Sequence, residues 1–121
     1  MKIECRSFGF KNGADSANFI LDVRCLPNPF YIEELKHKTG LDKPVRDYVF
    51  SFEQSREYLE KVVDIILFVI SQNQNAGQLL VSFGCTGGHH RSVTFAVMLC
   101  ETLKSKGYDA FCFHRDIDKK D

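Results

Sequence analysis

The chain has 121 residues, 44% hydrophobic and 26% charged, and 16 Lys+Arg balance 16 Asp+Glu to give zero formal net charge. At about 100–150 residues per domain, a single domain spanning 1–121 is expected, and ordinary globular composition excludes disorder and fibrous structure. No apolar run is long enough for a membrane span, Met1-Lys2-Ile3-Glu4-Cys5-Arg6 is too charged for a signal peptide, and neutral charge supplies no general field for nucleic acid.

A first strand is predicted over Lys2 to Phe8, followed by a turn around Phe10-Lys11-Asn12 between Gly9 and Gly13. A second runs from Asn18 to Arg24 and stops at Leu26-Pro27-Asn28-Pro29, where two prolines remove ladder donors. Tyr31 to Lys38 reads as a short helix closed by Gly40. Asp42-Lys43-Pro44 then opens another, with proline early in its first turn. Leu59, Val62, Val63, Ile66 and Ile70 recur at helical spacing, which predicts a long helix from about Phe52 to Asn73. Gln78 to Phe83 is a buried strand. Ser92 to Lys106 is a helix stopped by Gly107, and Tyr108 to His114 is the last strand. Strands separated by helices predict an α/β domain with a small, mainly parallel sheet flanked by helices.

Five cysteines, at Cys5, Cys25, Cys85, Cys100 and Cys112, form no Cys-x-x-Cys pair. Free thiols in a reducing, cytoplasmic setting are expected, most of them acting as small core hydrophobes. No motif calls for a cofactor or a metal.

The sharpest signal is Gly84-Cys85-Thr86-Gly87-Gly88-His89-His90-Arg91-Ser92, placed between a strand and a helix. Glycines bring backbone N–H groups close to a ligand, and the helix start adds the positive end of its dipole. Arg91 can clamp an oxyanion, Thr86 and Ser92 add hydroxyls, and His89 and His90 add further donors. A plain turn needs none of these side chains. The spacing fits neither a Walker A loop nor a dinucleotide fingerprint. Cys85 and Arg91 do match the nucleophile-to-arginine spacing of cysteine-dependent phosphatases, with Asp22 the one tempting general acid.

Two further segments are expected at the same crevice, because ligands of open parallel sheets bind beyond the carboxyl ends of strands. One is Asp22-Val23-Arg24-Cys25-Leu26-Pro27-Asn28-Pro29, contributing Asp22, Arg24 and Asn28. The other is Ser7-Phe8-Gly9-Phe10-Lys11, contributing Ser7 and Lys11. A structural ion pair between Asp22 and a neighbouring arginine is the competing expectation.

These two segments, Thr39-Gly40-Leu41-Asp42 and the glycine loop occur in an order that closely resembles the carboxyl-terminal domain of the RapZ (YvcJ) family of bacterial nucleotide-binding proteins. The resemblance runs from Ile3 to Arg115. It implies a fold similar to part of a 6-phosphofructokinase without its active site. It also implies sensing of a sugar phosphate, binding of small RNAs for presentation to a ribonuclease, and self-association. Three features depart from the family's pattern. No P-loop kinase-like domain is expected within 1–121, His89 stands where lysine is usual, and the tail Arg115 to Asp121 mixes charge signs. The expected function is therefore a non-catalytic module for a phosphorylated small molecule, with RNA as a further partner. A cysteine phosphatase and a purely structural interaction domain are the alternatives.

Overall fold

The computed structural model describes residues 1–73 and 75–120. Strands β1 (Lys2–Gly9), β2 (Phe19–Asp22), β3 (Gln78–Cys85) and β4 (Asp109–His114) form one sheet in the order β2-β3-β1-β4. All three pairings are parallel. Helices α1 (Lys43–Phe50) and α2 (Glu53–Gln72) connect β2 to β3, and α3 (Arg91–Ser105) connects β3 to β4. This is the α/β arrangement that the alternation of patterns predicts.

Side-chain alternation explains which face is buried. Ile3 and Cys5 of β1, with Leu79, Val81 and Phe83 of β3, form a cluster with Val62, Ile66 and Ile70 of α2 and Phe95, Leu99 and Leu103 of α3. The apolar run 65–70 is helical as expected: Ile66 and Ile70 enter the core, while Ile65 and Phe68 face outward. The other face of the sheet is polar and aromatic. Arg6 lies 3.2 Å from Glu4 and 3.4 Å from Asp15, its guanidinium stands over the Phe113 ring, and the Ser82 hydroxyl bonds Asp15.

Two boundaries differ from expectation. β2 is only four residues long: the Val23 N–H still donates to the Gly84 carbonyl, and beyond it the chain turns away, the Leu26 N–H closing on the Val23 carbonyl. Tyr31 to Lys38 forms no α-helix. Pro29–Tyr31 winds one 3₁₀ turn capped by Asn28, and residues 32–38 make successive isolated turns. Leu35 is the only buried side chain in that stretch, too little burial to offset the cost of nucleating a helix.

The register fixes the end of the sheet that matters. Gly84 of β3 pairs with Phe8 of β1 on one side and Asp22 of β2 on the other. The carboxyl ends of β1, β2 and β3 therefore lie together, and the chain after each strand surrounds one crevice.

Candidate functional site

A cleft of about 320 Å³ opens at that end. The loop between β3 and α3 forms its floor with Cys85, Thr86, Gly87, His89, His90 and Arg91. Lys11 from the chain after β1, and Asn28, Phe30 and Tyr31 from the chain after β2, complete it.

The loop is held from behind by very close backbone approach. A Cβ on Gly9 would lie 2.4 Å from the carbonyl carbon of Gly87, so only glycine lets β1 end against the loop. Gly88 has φ +83°, a conformation that side-chain-bearing residues rarely adopt, and it packs on Gly9 and Asp116. The Asp116 side chain is fully buried. It accepts the Gly9 N–H at 2.7 Å and pairs with Arg115 at 2.8 Å and Lys119 at 2.9 Å. Burial by itself raises its pKa, but Arg115, the Gly9 N–H and Lys119 outweigh this and hold the carboxyl well below the usual carboxylate range. His89 Nε2 donates to the Lys119 carbonyl at 2.6 Å, and the Gly40 N–H donates to the His89 carbonyl at 2.8 Å. The tail and the 39–42 turn thus brace the loop from two sides.

Arg91, the first residue of α3, is 6% exposed. Its Nη1 donates to the carbonyls of Arg24 at 2.7 Å and Leu26 at 3.1 Å. Its Nε is buried without a hydrogen-bond partner, and no carboxylate pairs with it among the described residues. Neither Gly87 nor Arg91 finds an acceptor for its backbone N–H among the described residues. A buried cation answered only by neutral carbonyls, beside unmet N–H groups at a helix start, is chemistry suited to an anion.

Asp22 and Arg24 pair with each other. Arg24 grips the carboxylate through Nε and through Nη2, the latter at 2.7 Å, and its guanidinium stacks 3.9 Å from the Phe10 ring centroid. The Arg24 hydrogen bond, with Arg91 contributing at longer range, lowers the pKa of Asp22. Asp22 is thus ionised at neutral pH. Cys85 Sγ is buried and lies 3.0 Å from the Ser92 hydroxyl, beneath the cleft.

Cys85, Thr86, Gly87, His89, His90, Arg91, Lys11 and Asn28 therefore meet around the cleft. Gly88 and Ser92 support it from behind. Asp22 and Arg24 stand beside the loop without lining the cleft, in the ion pair that was the competing expectation. Ser7 is a correction. It is fully buried two residues short of the end of β1, between Phe83 of β3 and His114 of β4, and its hydroxyl meets His114 Nδ1 at 2.6 Å instead of reaching the cleft. Sequence reasoning missed Phe30, Tyr31 and Asp116. The aromatic pair directly after Asn28-Pro29 was a usable signal; nothing in the charged tail marked Asp116 as buried.

A family model described as the RapZ C-terminal domain matches residues 1–118. Similar curated proteins include a nucleotide-binding protein of Caldicellulosiruptor saccharolyticus, 52% identical over 122 residues that cover 98% of this chain and 42% of the relative. Another, from Clostridium acetobutylicum, is 49% identical over 116 residues, covering 93% of this chain and 40% of the relative. A third, from Thermoanaerobacter sp., is 46% identical over 121 residues, covering 98% and 43%. The chain thus spans less than half the length of these relatives.

Proposed function

The chain belongs to the RapZ C-terminal domain family, and from that premise we propose that its cleft binds a phosphorylated small molecule, a sugar phosphate, as a sensor without transforming it. The observation that carries this reading is Arg91. Its buried guanidinium holds two carbonyls yet keeps a buried Nε without a partner at the cleft. A phosphate oxygen there would supply both the missing hydrogen bond and the missing counter-charge. RNA phosphates would meet the same donors, but zero net charge offers no field to gather a polyanion.

The 3.0 Å contact between Cys85 Sγ and Ser92 Oγ, with the Cys85-to-Arg91 spacing, favours a cysteine phosphatase as the second reading. The electrostatics weigh against it. A leaving group needs a protonated acid, and Arg24 holds Asp22 as a carboxylate. Thermal denaturation with a panel of sugar phosphates separates the readings. A ligand at 100 times its Kd adds about 2.7 kcal/mol of stability, or roughly 10 °C for a chain of this size. Arg91→Ala is expected to abolish that gain. Turnover of para-nitrophenyl phosphate that disappears in Cys85→Ser would instead establish the phosphatase.

A further inference from the structure

Resting on the phosphate-binding reading, we propose that residues 115–119, the segment after β4, form a strap whose docking is coupled to the cleft. An anion in the cleft holds the strap down, and release of the strap weakens the hold on the anion.

The strap grips two of the three walls around the crevice. The Arg115 N–H donates to the Ser7 carbonyl at 3.0 Å and so extends the β4 ladder along β1. The Arg115 guanidinium is then wrapped by the turn after β1. Its Nη2 donates to the Gly13 carbonyl at 2.7 Å and its Nη1 to the Ala14 carbonyl at 3.1 Å. That turn carries Lys11, which lines the cleft and donates its backbone N–H to the Thr86 carbonyl at 3.2 Å. At the other end of the strap, the Lys119 carbonyl accepts from His89 of the glycine loop at 2.6 Å. Asp116 stands between the two grips, bonded to the Gly9 N–H and packed against Gly88. One short segment thus fixes both the Lys11 turn and the loop whose N–H groups meet the anion.

Little buried apolar surface keeps the strap docked. Asp116 is its one buried side chain, Ile117 is half-buried, and Asp118 and Lys119 are exposed. The contacts that hold it are hydrogen bonds and ion pairs, and water replaces such contacts at small net cost. Segments held this way open locally well before the fold does. A docked and a released state are therefore both within reach. The docked state is the one that sets the glycine loop and the Lys11 turn around the cleft. A ligand that binds one state better shifts the population toward it. The coupling is reciprocal: the factor by which the anion favours docking is the factor by which docking favours the anion. A passive brace would support the loop without responding to occupancy.

Amide hydrogen exchange followed by NMR tests this on the whole chain, with inorganic phosphate as the probe. The Gly107 N–H, which bonds the Lys104 carbonyl at the far end of α3, is the internal reference. Saturating phosphate is expected to slow exchange at the Gly9, Arg115 and Lys119 amides about fivefold or more, and to leave Gly107 within about twofold. Asp116→Asn keeps an acceptor for Gly9 but gives up the charge that Arg115 and Lys119 hold. In calorimetric titration it should bind phosphate about threefold or more weakly than the wild type. Phosphate that binds the wild type without slowing the Arg115 and Lys119 amides overturns the strap, whatever the variant does, and leaves the phosphate-binding reading standing. A folded Asp116→Asn that binds phosphate as the wild type does overturns the strap equally. Should the variant not fold, exchange in the wild type decides alone. Failure of phosphate to bind the wild type overturns both readings.

Discussion

Single side chains at this site do two jobs each, and mutations should separate them. Arg91 meets the carbonyls of Arg24 and Leu26 and leaves Nε for a ligand. Arg91→Ala orphans those carbonyls, so a loss of about 1–3 kcal/mol in stability is expected alongside loss of phosphate binding. Arg91→Lys keeps the charge but lacks the planar fork, and should bind phosphate weakly. Asp116 carries no ligand contact, yet its removal leaves the Gly9 N–H unmet and two cations without their counter-charge. Asp116→Ala should cost about 1–3 kcal/mol in urea denaturation, chiefly for the unmet Gly9 N–H, because Arg115 and Lys119 keep access to water. Its pH dependence has a definite sign. The folded pKa lies below the unfolded value of about 3.9, so its contribution is complete above that value and is lost on further acidification. His114 acts earlier. Burial lowers its pKa, so the unfolded chain takes up the proton first as pH falls below about 6.5. Stability should therefore decline below that pH in the wild type and decline less in His114→Gln, as read by urea midpoints at pH 7.5 and 5.5.

At the level of elements, the site depends on how closely β1 ends against the glycine loop. Gly9→Ala brings a Cβ to within 2.4 Å of loop backbone, which no rotamer change can relieve. A destabilisation of about 1–3 kcal/mol and a distorted, weakly binding loop are expected. Gly77→Ala is the matched control, because nothing lies within 4 Å of its added Cβ. It should stay within about 0.5 kcal/mol of wild type. Most elements were legible because their hydrophobic period was long. Leu59 through Ile70 sustain a helical repeat, and the Leu79-to-Phe83 run reads as a buried strand. Tyr31 to Lys38 misled because helix-compatible residues were present without enough buried surface to hold them in a helix. Here tertiary burial, which a local window does not contain, decided the outcome.

Across the whole molecule, the parallel order β2-β3-β1-β4 gathers three strand ends into one crevice. That arrangement made the cleft readable: Gly-rich loop, Lys11 and Asn28 follow from the carboxyl-end rule alone. Ser7 was misplaced because the same rule names the end of a strand and not how near to it a side chain lies; two residues short of Gly9, Ser7 sits inside the sheet opposite His114. Asp116 was illegible because its partners, Gly9 and Gly88, lie more than a hundred and about thirty residues away in sequence. The tail is therefore part of the site's scaffold, although its mixed charges resemble a solvated end.

The central claim is that Arg91 and the loop N–H groups receive a phosphate. Titration of the ¹⁵N-labelled chain with inorganic phosphate tests it most directly. The Arg91 Nε–Hε resonance and the backbone amides of Gly87 and Arg91 are expected to move together along one saturating curve, while the amide of the distant Gly77 stays still. Those three signals remaining fixed through tens of millimolar phosphate, or shifts confined to another surface, would contradict the account.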